Sequence, residues 1–394
     1  MNFPLSGVRI LDLTQILAGP YCTLILADLG AEVIKVERTE GGDAARGTPP
    51  HYFEGESAYF LAMNRNKKSV TLNLESEKGK EIFYRLVRVA DVAVSNLRPG
   101  VIEKLKVDYD TLKGINPRII SCVISGYGQT GPCKNYPAFD LIVQARGGIM
   151  SYTGEPGRPP VRMGTPMGDL AGGVFAAHGI MAALYQREKT GTGQKIDISL
   201  LDCQISLMIY RGQNYLVAGE IAQPVGSGHI SVHPHGAFKT KSFDVVIDLN
   251  TQKVFEGFCR KIGRDDLCQN PKFTSREKRY ENREELYRDF HQIFLQKTGE
   301  EWLTLLEEEF PIAPINTVDK ALNNPQILIR NMVPEIDYGT RKLKILGNPI
   351  KMSGIEKEVF KAPPKLGEHN AEILQDLLNY SAEDVMNFKR DGNI

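Results

Sequence analysis

The feature that most constrains this chain is an alternation of short β-rich runs with helical segments from Val8 to Ile124. Val8 to Leu13 is β-rich, and Pro20 to Leu29 follows with Leu24, Leu26, Ala27 and Leu29 at helical spacing until Gly30 stops it. Ala31 to Glu37 and Ser69 to Leu74 read as strands, Glu77 to Val89 as an amphipathic helix, and Asp91 to Ser95 as a strand. Tyr109 to Ile115 is a short helix before the strand Arg118 to Ile124. Strands separated by helices imply a parallel sheet with right-handed crossovers, an α/β fold whose ligands sit beyond the carboxyl ends of the strands. A strand, turn, helix and second strand ending in Glu37 imitate a dinucleotide fingerprint. The turn Gln15-Ile16-Leu17-Ala18-Gly19-Pro20 has one glycine where that fingerprint needs three. Without them the backbone cannot approach a pyrophosphate, which argues against a nicotinamide cofactor.

Residues 169–187 read as a long helix rich in Ala171, Gly172, Gly173, Ala176, Ala177, Gly179, Ala182 and Ala183. A helical glycine costs about 1 kcal/mol against alanine, so this concentration predicts a close-packed neighbour. Gly191 to Gln194 is a turn, Lys195 to Leu200 a strand, and 203–220 helical. From residue 221 the texture changes to a Gly/Pro-rich loop, a strand at Asp244 to Asp248, and charged helices at 252–262, 281–296 and 299–309. These shifts divide the chain into a large domain over 1–220, a small α+β domain over 221–317, and a return over 318–394 that rejoins the large domain. The return carries helical segments at Val318 to Asn323 and Pro325 to Arg330, a β run at Lys342 to Leu346, and a tail with two helices.

Lys plus Arg is 48 and Asp plus Glu is 48, so a polyanion-binding surface is not the main business and no nucleic-acid partner is expected. The six cysteines, Cys22, Cys122, Cys133, Cys203, Cys259 and Cys268, show neither CxxC pairing nor metal spacing and read as core residues of a reducing compartment. The N-terminal stretch lacks the basic and apolar blocks of a signal peptide, and no apolar run reaches the ~18–20 residues that span a bilayer. These readings set the expectation of a cytoplasmic protein without a membrane partner.

Asp169 stands directly before the small-residue helix. A carboxylate there is an N-cap contributing about 1 kcal/mol, or a nucleophile that the helix N-terminus keeps ionised. His229, His233 and His235 lie close in sequence, but no Cys or carboxylate stands within a few residues and the stretch is Gly/Pro-rich, so no metal is expected.

Seven segments in order together resemble the class III CoA-transferase family, the formyl-CoA transferase and carnitine CoA-transferase group. They are Leu11-Asp12-Leu13-Thr14 with Ala18-Gly19-Pro20; Leu29 to Glu37; Asn64 to Ser69; Asn96-Leu97-Arg98-Pro99-Gly100; Ser125 to Pro132; Thr190 to Gln194; and Leu366-Gly367-Glu368-His369. The stretch His229 to Lys241 looks like the branch containing the succinate–hydroxymethylglutarate CoA-transferase. The resemblance implies a Rossmann-like large domain, a smaller α+β domain and an interlaced homodimer. It implies coenzyme A thioesters as substrates, with no permanently bound cofactor. It makes Asp169 the nucleophile and places the CoA moiety along Ala18, Arg38, Leu72, Asn73, Leu74, Asn96, Leu97, Arg98 and Lys104.

The chemistry so implied is attack of Asp169 on a thioester, giving a mixed anhydride and then an aspartyl-CoA thioester. Backbone N–H groups near Asp169 or in 226–236 would stabilise the oxyanions, and Arg65, Arg162 or Tyr127 would hold the acid substrate. Formyl-CoA transferases carry a run of glycines where this chain has Gly226-Ser227-Gly228, a departure that speaks against the formyl/oxalate pairing and leaves 226–236 as a loop bordering the acyl site. The related α-methylacyl-CoA racemases need a histidine where Pro137-Ala138-Phe139-Asp140 places Phe139, which carries no proton to move. A CoA-binding protein without turnover is the remaining alternative.

Overall fold

A computed structural model of the protein describes residues 3–355 and 357–394. The N-terminal stretch read above for a signal peptide begins on two residues outside that range. The chain divides into two compact units. The first comprises Met1–Ile149, Arg162–Gly219 and Gln326–Ile394, and the second Met150–Val161 and Glu220–Pro325.

The first unit is built on a six-stranded sheet: β1 Arg9–Leu13, β2 Glu32–Glu37, β3 Lys67–Thr71, β4 Val92–Ser95, β5 Ile120–Ser125 and β6 Lys195–Ser199. Every pairing is parallel and the spatial order is β3-β2-β1-β4-β5-β6, so the order reverses between β1 and β4. Alternate side chains feed opposite cores. Leu11, Ile34 and Ala93 pack under helix α2 (Glu77–Arg88) with Ile82, Phe83 and Leu86, joined by Leu374 and Phe388 of the C-terminal helices. Ile10, Val33, Val92 and Val94 pack under helix α1 (Ala18–Asp28) and a long helix, Met167–Thr190. Burial on both faces explains why apolar residues occur at neighbouring positions of these strands, as at Ile10-Leu11 and Val33-Ile34.

Between β5 and β6 lie α3 (Asp140–Arg146) and the long helix α4 (Met167–Thr190). Helix α4 corrects the expectation that no run is long enough to cross a bilayer. It has 24 residues and a mean hydropathy of 1.3 over its most apolar window, half of which is buried inside the fold. Its small residues make the predicted close contact. A Cβ at Gly173 would lie 2.7 Å from the Ala18 carbonyl oxygen and 3.3 Å from the Cys22 nitrogen, and one at Gly172 would collide with Leu200. Helix α4 ends on Gly191, whose φ of 74° closes it by a bond from its N–H to Arg187 O. The helix expected over 203–220 is two, α5 (Leu200–Leu207) and α6 (Tyr210–Ala218), broken at Ile209, whose φ is 45°.

In the second unit an antiparallel sheet of β7 (His235–Phe238), β8 (Val245–Asp248) and β9 (Ile312–Pro314), with β8 central, packs against α7 (Gln252–Lys261), α8 (Arg283–Phe294) and α9 (Gly299–Leu306). Its core is aromatic: Phe238, Phe255, Phe258, Phe290, Phe294 and Trp302, whose indole N–H donates to Phe294 O at 3.0 Å. Strand β7 falls in a stretch the sequence reads as loop. In the return, the β run at 342–346 is Arg341–Lys344, paired with Glu335–Tyr338.

The packing of α1 on α4 yields a direct expectation. Gly173→Ala forces a methyl group against the backbone of α1 and should destabilise the protein by about 1–3 kcal/mol. Thermal melting checks this, and a variant as stable as the parent would refute the close contact.

Candidate active site

The reversal of strand order places a crevice at the carboxyl ends of β1 and β4. The loop after β1 is bolted there from several sides. The Asn96 amide, just past β4, accepts from Gln15 N–H at 2.9 Å and donates to Gln15 O at 2.7 Å. Helix α1 starts at Ala18 without a side-chain cap. Gly173, one turn into α4 from Asp169, abuts the Ala18 carbonyl. The first turn of α4, which carries Asp169, therefore lies near the start of α1.

Asp169 is not the N-cap the sequence suggests. Helix α4 begins at Met167, the cap position is Pro166, and Asp169 lies in the first turn. The capping carboxylate is Asp140, the first residue of α3. Its Oδ1 accepts from the N–H of Gly168 at 2.8 Å and of Asp169 at 3.4 Å. Gln144 holds Asp140 in place, donating to Oδ2 at 2.7 Å while its own carbonyl oxygen accepts from Met163 N–H at 3.0 Å. No hydrogen bond to the Asp169 carboxylate is made among the described residues. Burial pushes that carboxyl up to about 7, and the charge of Asp140 adds to the rise. This runs against the expectation that the helix end keeps Asp169 ionised. Desolvation beside a second carboxylate outweighs the helix dipole.

Two residues that sequence reading passed over belong here. Burial raises the Tyr59 phenol, with Asp169, Asp43 and Asp140 adding to the shift, which places Tyr59 among the three carboxylates. Gln204 of α5 is fully buried, with both amide atoms unpartnered among the described residues, and packs beside Gly147 and Gly168. Neither sits in a motif, so no local pattern announces it.

The other expected CoA contacts follow the ends of β2, β3 and β4. Arg38 is exposed just beyond β2 and donates to Gly42 O at 3.2 Å. Strand β3 ends at Thr71, which puts Leu72, Asn73 and Leu74 in the following loop. Leu72 is buried in the core, Leu74 packs against it, and Asn73 N–H donates to Asn393 O at 2.8 Å. Leu97 packs on the same core, Arg98 is exposed, and Lys104 is an exposed cation 3.7 Å from Glu75. Of the clamp candidates, Arg65 is withdrawn. It is buried, pairs with Asp28 at 2.5 Å and donates to Leu346 O at 2.6 Å. Tyr127 is buried with its hydroxyl unpartnered among the described residues, and Arg162 is exposed. In the second unit, His233 is buried against Tyr280 and Tyr287, and burial pulls its pKa down to about 4. Among the described residues no group of three or more His, Cys, Asp or Glu could hold a metal ion.

The model of CoA-transferase family III matches residues 5–370. The succinyl-CoA:glutarate CoA-transferase of Mus musculus is 39% identical over 96% of this chain and 87% of its own length. The acetyl-CoA:oxalate CoA-transferase of Acetobacter aceti is 38% identical over 95% of both chains. A crystal structure of a CAIB/BAIF family protein from Brucella suis matches with a TM-score of 0.85 and 35% identity, covering 96% of this chain and 100% of that one. The chain belongs to CoA-transferase family III, and it is an enzyme that transfers coenzyme A between an acyl-CoA and a carboxylic acid.

The carboxylate pair predicts a titration. The Asp140 charge helps raise the Asp169 pKa, so Asp140→Asn, which can still accept from the helix N–H groups, should lower it. NMR of carbon-labelled aspartate should show a midpoint near 7 in the parent, and a lower one in the variant. An unchanged midpoint would mean the two groups do not sense each other. A raised folded pKa favours the protonated form, so this group's contribution to stability is present below about 4 and lost as pH rises through about 7. Asp169→Asn should flatten that part of the stability profile.

Proposed function

We propose that Asp169 is the nucleophile of a CoA transfer between small dicarboxylic acids. The observation that carries this reading is a half-buried carboxylate with no hydrogen bond to its oxygens among the described residues and a pKa of about 7, at the start of a helix bordering the sheet's crevice. A carboxylate of that basicity is a better nucleophile than a surface aspartate, yet a large fraction remains ionised at neutral pH. Asp169 attacks the donor thioester carbonyl, the C–S bond breaks, and a mixed anhydride and CoA thiolate form. The thiolate attacks the aspartyl carbonyl, releasing the donor acid with one oxygen from Asp169 and leaving aspartyl-CoA. The acceptor carboxylate attacks this thioester, and the returning thiolate takes the acceptor's acyl group. Asp169 is regenerated with one acceptor oxygen. The overall exchange replaces one thioester and one carboxylate by another of each at similar energy, so no external energy source and no permanent cofactor is required.

The CoA moiety lies along Ala18, Arg38, Leu72–Leu74, Asn96–Arg98 and Lys104, with Arg38, Arg98 and Lys104 as exposed cations for its phosphates. Dicarboxylic acids are inferred because relatives from Mus musculus and Agrobacterium fabrum carry succinyl-CoA:glutarate and succinate–glutarate names. The position that racemases fill with histidine is Phe139, so the histidine that serves them as second base in α-proton transfer is missing. A homodimer is supported by the exposed apolar side chains Ile209, Leu216 and Val217 on and beside α6, which a lone soluble chain rarely presents. The free cysteines fit a cytoplasmic setting.

Incubation with succinyl-CoA followed by hydroxylamine should leave a hydroxamate at Asp169. Asp169→Ala should lose turnover by about a thousandfold or more. Full CoA transfer by that variant would refute the mechanism.

A further inference from the structure

The loop from Thr14 to Ala18 is held in a conformation that its own sequence disfavours. Ile16 has a φ of 69°, a left-handed conformation that a β-branched residue avoids. Its N–H donates to Asp43 Oδ1 at 3.0 Å, and the same oxygen accepts from Ala45 N–H at 2.9 Å. Asp43 is buried, and its other oxygen meets the buried Lys35 ammonium at 2.8 Å. Lys35 Nζ in turn donates to Thr14 O at 2.8 Å. One carboxylate and its counter-ion thus grip the loop at Thr14 and Ile16, on either side of Gln15, which Asn96 holds. The grip comes from β2 and the segment after it, with no part in the sheet's hydrogen bonding.

We propose that Asp43 is a positioning residue for the transfer reaction. By way of Lys35 and the Ile16 N–H it keeps the loop in the strained form that receives the CoA moiety at the start of α1. This rests on the reading that Ala18 borders that moiety. A strained loop set before the ligand arrives spares the complex the loss of loop freedom on binding, so Asp43 acts on acyl-CoA affinity and not on the chemical steps.

The test compares Asp43→Asn with its combinations with Ile16→Gly and Ile16→Ala. Asp43→Asn should raise KM for acyl-CoA about tenfold with kcat within about threefold of the parent. Adding Ile16→Gly should recover most of that loss, because glycine takes a positive φ without penalty. Adding Ile16→Ala, which keeps a Cβ, should recover little. A merely structural role would lower stability without this ordering of KM values. An unchanged KM in Asp43→Asn, or equal recovery by glycine and alanine, overturns the proposal. Should Asp43→Asn fold too poorly to assay, the melting temperature of Ile16→Gly decides: a rise supports the strain and a fall overturns it. Calorimetric titration of Ala18→Glu with CoA separates the two readings. Undiminished binding would overturn the placement of CoA, and the proposal with it. Lost binding together with an unchanged KM in Asp43→Asn would overturn the proposal alone.

Discussion

The site turns on one hydrogen-bonding arrangement, the Asp140 carboxylate on the first N–H groups of α4. Those donors would otherwise be orphaned. By taking them, Asp140 frees the Asp169 carboxylate from capping and leaves it exposed to a neighbouring negative charge. Had Asp169 been the cap, its bonds to backbone N–H groups would have lowered its pKa and blunted its oxygens. Gln144 matters for the same reason, since it fixes Asp140 on one side and the segment leading into α4 on the other. The contact can form only because Gly168 carries no side chain. A Cβ there would lie 3.0 Å from Asp140 Oδ1 and 2.8 Å from Val143.

The carboxyl ends of the central strands are held by buried charge. Asp12, Lys35, Asp43 and Lys67 are buried and joined by ion pairs of 2.8 Å and 3.1 Å. Burial would raise the Asp12 carboxyl, but Lys67, Lys35 and two threonine hydroxyls together hold it well below the usual range. Burial brings Lys67 down to about 8. Removing one member of such a set leaves an uncompensated charge at a cost of about 3–5 kcal/mol. These charges hold backbone: Lys35 donates to Thr14 O and Lys67 to Pro20 O, so the strand ends and the start of α1 keep a fixed relation.

Much of the large unit is legible in the chain because its signals are local. The strands at β1, β2, β4 and β5 are short β-rich segments between helical ones, and the helix Tyr109–Ile115 has the predicted bounds. The close packing of α4 is written in its glycines. The site is less legible because its geometry comes from distant pairs. Asp140 and Gly168 are 28 residues apart, and nothing in either segment marks the contact. Arg65 reads as a free cation until the fold brings Asp28 to it, 37 residues away. The break at Ile209 hides because neither glycine nor proline stands at 208–210 and only tertiary context reverses one φ. Strand β7 hides because its ladder partner β8 supplies most of its identity as a strand.

The central claim is that an oxygen of Asp169 is exchanged in each turnover. It is tested most directly by running the reaction with an acceptor acid whose carboxylate carries heavy oxygen, then measuring the isotope content of the peptide containing Asp169. The account predicts that Asp169 acquires one labelled oxygen from the acceptor as product forms. An unlabelled Asp169 after many turnovers, with label present in the released donor acid, would mean that the acceptor attacks the thioester itself, and would contradict the account.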